Sequence, residues 1–411
     1  MGRIIQIITL LFGIAFIGIG YSNANGHMQN EYIVKFKGNP NANTCSHFCS
    51  ENKSDSQQMI KKIAGMYHVK MDQEGLEDFK RSYKGEIAFI EPNYIYSIAD
   101  FEEVEDQGIP KAQWGLNSTA GVNAEKAWTK TKGNSGVVVA VIDTGVDYDH
   151  YALKNSMWRN NGETFDGTDS DGNGYVDDVF GVNVLKRTGD PKDDHGHGTH
   201  CAGIIAADSP SLKGIAPKVS IMGIKFLNKK GEGTLAGAIE AIEYAVNHGA
   251  DVLSNSWGGK MGSEALEDAI RYAEKMGVLF VAAAGNNNRN NDRRATYPAN
   301  YKIGNVISVA ASTSSGMKSY FSNYGKETVD LFAPGSNILS SFLNNKTKSY
   351  SGTSMATPFV SGAAALYLSY RGKVHYSVVK DAIFEGVDYS SSFKNYVKTG
   401  GKLDAYKMLL E

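Results

Sequence analysis

The chain has 411 residues, of which 42% are hydrophobic and 21% charged, and its formal net charge is −2 at pH 7. The length exceeds one typical domain, and the composition is that of an ordinary globular protein. A near-neutral charge argues against nucleic acid or an anionic membrane as the main partner, and 45 glycines against 9 prolines point to tight turns and close packing.

Residues 1–24 read as a secretory leader: Arg3 precedes an apolar run from Ile4 to Ile19, followed by Tyr21-Ser22-Asn23-Ala24, with a cut expected after Ala24. The alternative, an uncleaved membrane anchor, is disfavoured because the run falls short of the roughly 18–20 apolar residues of a bilayer span. An exported protein, extracellular or periplasmic, with no membrane association after leader removal is expected.

Residues 25–100 read as a small α+β unit of ferredoxin-like kind. Glu31–Lys37 alternates like a half-buried strand, and Tyr67–Lys70 and Glu86–Pro92 are further strands. Gln57–Met66 and Gln73–Tyr83 read as helices packed on the resulting antiparallel sheet. Cys45 and Cys49 are spaced to close a small disulfide or to do nothing, and no His or Cys pair elsewhere completes a zinc site. Residues 101–113 form a linker in which maturation cleavage is expected, the acidic stretch Asp100–Gly108 being weakly apolar. The alternative is an accessory unit that stays attached.

From Trp114 to Glu411 strands and helices alternate. Gly136–Ile142, Val219–Lys225, Val252-Leu253, Val278–Ala283 and Val306–Val309 are continuous apolar runs, as in strands buried on both faces of a parallel sheet. Between them, His200–Ala207, Leu235–His248 and Ser263–Met276 are helical stretches. The pattern predicts a three-layer αβα domain with a mostly parallel central sheet, whose site forms at the carboxyl ends of the strands.

Three segments carry the chemistry: Val141-Ile142-Asp143-Thr144-Gly145, His195-Gly196-His197-Gly198-Thr199-His200 and Gly352-Thr353-Ser354-Met355-Ala356-Thr357-Pro358. A serine hydroxyl is a poor nucleophile unless a base takes its proton, and the base works best when a carboxylate orients it. Ser354, His197 and Asp143 supply these parts. Pro358 belongs near the start of a helix, which sets Ser354 at the N-terminus of one running to about Tyr370 and ended by Gly372. Between the first two segments lies Asp166-Gly-Thr-Asp169-Ser-Asp171-Gly-Asn173-Gly174-Tyr-Val-Asp177-Asp178. Oxygen ligands at alternate positions before Gly174 match the start of an EF-hand loop. Position twelve is Phe180, so the usual glutamate is missing and Asp177 or Asp178 is expected to complete a structural Ca²⁺ shell with Asp169, Asp171 and Asn173.

These segments, in the order Asp…His…Ser, resemble the subtilisin-like serine proteases, the subtilase family. The resemblance runs from about Trp114 to the C-terminus and more weakly through the N-terminal unit, including Ile90-Glu91-Pro92. It implies a secreted endopeptidase acting on proteins and peptides, monomeric, and made as a zymogen whose propeptide assists folding and then inhibits the cleft. It implies that Asn286, in Ala283-Ala284-Gly285-Asn286, donates to the oxyanion, and that Ala284 and Gly285 line the substrate site. It also implies that Gly231-Glu232-Gly233 and Ser256-Trp257-Gly258 are the two edges that pair with a peptide backbone, with Trp257 core or cleft wall. Thr296 stands where many subtilases have glycine at the floor of the primary pocket, which predicts a shallow pocket that disfavours large aromatics. Cys201 reads as a buried packing thiol, and His195 and His200 as packing or hydrogen-bonding residues. A catalytically silent protein is disfavoured because Asp143, His197, Asn286 and Ser354 are all present. A proprotein processor would need more acidic pocket residues than Glu232. The Thr-Ser-Met frame disfavours a lipase or esterase.

Overall fold

The computed structural model describes residues 26–38, 57–63, 65–98, 102–103, 113–117 and 119–411, with the backbone alone for 57–63 and 102–103. The expected leader at 1–24 and the pair Cys45 and Cys49 lie outside the described residues.

The N-terminal unit contains β1 (His27–Phe36), β2 (Gln57–Ile63), β3 (Met66–Met71), α1 (Gln73–Ser82) and β4 (Ile87–Ile98). The strands pair antiparallel in the order β2-β3-β1-β4. Asp72 caps α1 by accepting from the Gly75 amide at 2.7 Å. Leu76 and Phe79 then face Val34, Phe36, Tyr67, Val69 and Met71 in a small core. The expectation of a helix over Gln57–Met66 is corrected: Gln57–Ile63 pairs with β3 from Gln57↔Met71 to Ile63↔Met66. Cross-strand pairing overrides a helix-compatible apolar spacing. One helix rather than two therefore covers the sheet among the described residues. Within the linker expected over 101–113, Glu102–Glu103 forms a short strand, β5.

Beyond it come α2 (Trp114–Asn117), α3 (Ala124–Ala127), β6 (Val138–Asp143), β7 (Gly181–Asn183), α4 (His197–Ala206) and β8 (Ser220–Lys225). Then follow β9 (Glu232–Thr234), α5 (Leu235–Asn247), β10 (Val252–Asn255), β11 (Trp257–Gly258), α6 (Glu264–Lys275), β12 (Leu279–Ala283) and β13 (Val306–Ser312). The last elements are β14 (Leu331–Pro334), β15 (Ile338–Phe342), β16 (Lys346–Ser351), α7 (Thr353–Arg371), α8 (Tyr376–Glu385), β17 (Asp388–Tyr389) and β18 (Gly401–Lys402).

The central sheet runs β17-β18-β14-β13-β12-β10-β6-β8-β7, and only the edge pair β17–β18 is antiparallel. Alternate residues of β6 serve opposite layers. Val139 and Val141 pack with α4 and α7, whereas Val138, Ala140 and Ile142 pack with α5 and α6. This is a three-layer αβα fold with a mostly parallel sheet. The chain leaves β6 toward β8 and returns on its other side at β10, so strand order reverses at β6. Such a reversal opens a crevice at the carboxyl ends of the strands. Asp143 is the last residue of β6.

Candidate active site

Asp143 is buried and its Oδ1 accepts from the Thr144 amide at 2.7 Å and meets His197 Nδ1 at 2.8 Å. His197 is the first residue of α4, also fully buried. A side chain at 198 would run into the Gly145 carbonyl and approach Asp143, so only glycine lets α4 sit this close to β6. This contact fixes the imidazole with one nitrogen toward the carboxylate.

Ser354 lies in the first turn of α7, behind the cap Gly352. Its hydroxyl donates to the Ser256 carbonyl at 3.1 Å, and the Ser256 hydroxyl donates to the Ser354 carbonyl at 2.9 Å. Pro358 explains the second bond. Proline supplies no amide to the carbonyl four residues back, so Ser256, and Cys201 Sγ at 3.5 Å, serve the Ser354 carbonyl instead. The rest of α7 runs to Arg371 and stops at Gly372, which has φ 88°. Asn286 Oδ1 accepts from both the amide and the hydroxyl of Thr353 at 2.8 Å. That anchor turns its Nδ2 toward Gly352, at the positive end of the helix.

The other histidines and the cysteine are placed differently. His200 is buried, stacks on Tyr350 and contacts the Lys348 carbonyl at 3.1 Å; burial pushes its pKa down to about 3. His195 packs edge-on to His197, and burial with the neighbouring His197 charge lowers its pKa. Burial raises the Cys201 thiol well above its usual range, which keeps it protonated and unreactive.

The two predicted cleft edges are occupied by the N-terminal unit. β4 pairs antiparallel with β9, through Ile95↔Thr234, Tyr96↔Gly233 and Ser97↔Glu232, and with β11, through Ser97↔Gly258 and Ile98↔Trp257. The Ile98 amide also donates to the Gly231 carbonyl at 2.9 Å. Trp257 is fully buried and lies between Tyr96 and Phe226, so it is core. Two further contacts hold the unit in place. Glu91 accepts from Ser263 Oγ at 2.6 Å and from the Ala265 amide at 2.9 Å, at the start of α6. Asn93 Oδ1 accepts from the Ala236 amide at 3.0 Å, at the start of α5. The same Asn93 donates to Glu31, which also meets His68 at 2.9 Å.

Burial opposes the charge of Glu31, but hydrogen bonds from His68 and Asn93 and the nearby positive groups outweigh it and hold its pKa below 4.5. A depressed carboxylate stabilises the fold above its unfolded pKa, and that contribution disappears as pH falls through the folded value. The N-terminal unit is therefore expected to loosen as pH falls through that lowered value. Tyrosine fluorescence along an acid titration checks this, and Glu31→Gln, which lacks the carboxylate's contribution at every pH, should move the midpoint up and flatten the transition.

Thr296 lies between two of the predicted lining residues. Its methyl stands 3.5 Å from where a Cβ on Gly258 would be and 3.3 Å from one on Gly285. Its hydroxyl accepts from Asn323 Nδ2 at 3.3 Å, and Asn323 in turn donates to the Ala284 carbonyl at 2.9 Å. Thr296→Gly is expected to raise kcat/KM on substrates with Phe at the cleaved residue about 10-fold or more relative to Ala, as measured with paired peptides.

The acidic loop converges, with one exception. Asp169 Oδ1 accepts the Gly172 and Asn173 amides and Oδ2 the Gly174 amide, the last at φ 92°. Asp171 and Asp178 are bridged by Asn160 Nδ2 at 2.9 and 3.0 Å, and Asn173 Nδ2 donates to Asp178 at 2.8 Å. Asp177 is not part of this group: its Oδ1 accepts the Asp166 and Gly167 amides at 3.0 and 2.9 Å. Its place is taken by Glu163, which the EF-hand spacing did not indicate. Glu163 Oε1 accepts the Ser170 and Asp171 amides at 2.6 and 2.9 Å. Its Oε2 is buried without a hydrogen-bond partner, and the carboxylates of Glu163, Asp169 and Asp171 lie within 4.8 Å of one another.

A doubly covered α/β sheet with a buried Asp–His pair and a serine at a helix N-terminus defines a hydrolase site of the serine type. The Subtilase family profile, Peptidase_S8, matches residues 134–397. A thermophilic serine proteinase of Bacillus sp. (strain AK1) is 34% identical over 94% of this chain and 89% of its own length. Thermitase of Thermoactinomyces vulgaris is 38% identical over 70% of this chain and 92% of its own. Fervidolysin from Fervidobacterium pennivorans, described as a keratinolytic enzyme related to subtilisin, superposes with a TM-score of 0.75 at 22% identity. That match covers 95% of this chain and 62% of fervidolysin. The chain belongs to the subtilase family and is a subtilisin-like serine protease. Among the described residues, no helix is long and apolar enough to cross a membrane.

Proposed function

We propose that the protein is an exported endopeptidase, synthesised as a self-inhibited zymogen, that cuts peptide bonds with Asp143, His197 and Ser354. The buried Asp143–His197 contact of 2.8 Å, on a helix that also reaches the Ser354 carbonyl through Cys201 Sγ at 3.5 Å, carries this reading. Ser354 attacks the scissile carbonyl while His197 takes its proton and passes it to the departing amine. Asp143 holds the imidazole tautomer and stabilises its charged form. Asn286 Nδ2 and the first amides of α7 face the oxygen on which negative charge develops.

Main-chain pairing with β9 and β11 binds the substrate, which makes recognition tolerant of sequence away from a few pockets. β4 already fills both edges, so a peptide competes with it until the N-terminal unit is cut away. The leader directs export. A Ca²⁺ ion fits the loop through Glu163, Asp169, Asp171, Asn173 and Asp178, where carboxylates crowd around a buried oxygen that has no donor. Bound there, the ion supplies charge balance and rigidity and takes no part in bond cleavage.

Asn286→Ala in the mature protein should lower kcat by about 10²–10³ with little change in KM. Peptide hydrolysis at saturating substrate tests this. A mature protein that hydrolyses no peptide would overturn the reading in favour of a silent binding protein.

A further inference from the structure

We propose that Asn323 is a positioning residue for this site: one end of its amide fixes the loop that carries Asn286, and the other end fixes Thr296 in the primary pocket. The proposal rests on the serine-protease reading above and goes beyond it, because it ties oxyanion stabilisation and side-chain choice to one side chain.

The loop that carries Asn286 has little packing of its own. It follows β12 through Gly285, at φ 103°, and turns again at Asn288, at φ 50°, with Asn287 and Asn288 exposed. Hydrogen bonds must therefore hold it. Thr353 anchors Asn286 on one side. On the other, Asn323 Oδ1 accepts from the amides of Asn287 and Arg289, both at 3.0 Å. The Asn323 backbone amide donates to the Gly285 carbonyl at 2.8 Å. Asn286 thus stands between two residues, Gly285 and Asn287, that are each bonded to Asn323. A misplacement of about 1 Å in such a donor costs about 10²-fold in rate.

The other end of the side chain serves the pocket. Its Nδ2 donates to the Ala284 carbonyl at 2.9 Å and to Asn291 Oδ1 at 3.1 Å, with Thr296 Oγ1 at 3.3 Å. Thr296 closes the ring by donating to the same Asn291 oxygen at 3.4 Å. Backbone amides only donate and carbonyls only accept, so a flipped Asn323 would lose partners at both ends. The residue is fully buried, which keeps water from competing for these bonds. Glycine at 285 makes room for it, since a Cβ there would come within 2.6 Å of Asn323 Nδ2. Asn323 acts through Asn286 and Thr296 and does not itself enter the chemistry.

Enzyme matured from the full chain is assayed on peptides with Ala or Phe at the cleaved residue, in two double-mutant cycles. Asn323→Ala should lower kcat on the Ala peptide about 10–100-fold, with KM within about threefold. Made on Asn286→Ala, the same change should cost less than about threefold, because the donor it positions is gone. Asn323→Ala should also cut the preference for Ala over Phe about fivefold, an effect that should shrink to less than about twofold on Thr296→Gly. A kcat within about threefold of wild type, or an equal loss with and without Asn286, overturns the positioning role. An unaltered Ala-to-Phe ratio overturns the pocket half of the proposal.

If Asn323→Ala does not fold, Asn323→Ser is carried through the same cycles. Amide hydrogen exchange in the full-length Ser354→Ala protein gives a reading that needs no change at 323. The Asn287 and Arg289 amides should exchange slowly there although the Asn287 side chain is exposed, and fast exchange of both overturns the anchor. An unaltered enzyme that hydrolyses neither peptide overturns the protease reading, and the exchange result is independent of it.

Discussion

Ser354→Ala is expected to abolish peptide hydrolysis, with kcat falling by about 10⁶-fold, the scale on which subtilisin-type triads lose activity when the nucleophile is removed. The substitution removes one oxygen from a buried position, and its structural effect is small. The lost hydroxyl donates only to the Ser256 carbonyl, while the Ser354 carbonyl keeps the Ser256 hydroxyl and Cys201 as partners. The variant should therefore fold and accumulate as the uncut precursor. Thermal unfolding within a few degrees of the wild type, together with absent turnover, separates loss of chemistry from loss of fold. Residual turnover above about 1% of wild type would mean that another group attacks the carbonyl. Cys201 is a poor substitute, because burial keeps its thiol protonated.

The site was legible in the sequence where chemistry requires a local frame. Asp143 stands at a strand end, His197 opens a helix that glycine allows to approach that strand, and Ser354 precedes a proline that fixes its helix start. Each constraint acts within a few residues, so a short segment records it. The buried apolar runs also became strands near the expected bounds, because burial on both faces leaves a continuous signal. Long-range pairing left weaker traces. Gln57–Ile63 has apolar spacing that a helix accepts, and only its partner β3 makes it a strand. Strand β4 runs on to Ile98, past Pro92, where a register shift in its pairing with β1 accommodates a residue lacking an amide. Its last four residues owe their order to β9 and β11, which lie more than 100 positions away. Glu163 was invisible for a similar reason. It precedes the EF-hand-like spacing and enters the acidic group only because the chain folds back on itself.

That group sets the second large effect. Glu163, Asp169 and Asp171 bring three carboxylates within 4.8 Å, and among the described residues no lysine or arginine pairs with them. Glu163 Oε2 is buried without a hydrogen-bond partner, a costly state for an ionised oxygen unless a cation faces it. A Ca²⁺ ion present at about 1,000 times its dissociation constant would stabilise the folded form by about 4 kcal/mol. For a domain of this size that corresponds to roughly 10 °C in Tm. Removing calcium with a chelator should thus lower the Tm of the Ser354→Ala protein by about that amount, a background in which self-digestion cannot distort the melt. In Glu163→Gln made on the same background, the amide removes the buried charge, so the chelator should change Tm by less than about 3 °C. In the active chain, Glu163→Gln should leave kcat at 25 °C within about twofold, because the loop lies apart from Asp143, His197 and Ser354 and does not touch the reacting atoms. An equal chelator response with and without Glu163 would assign the stabilising ion to another site. A large loss of kcat with an unchanged melt would instead tie this loop to the chemistry.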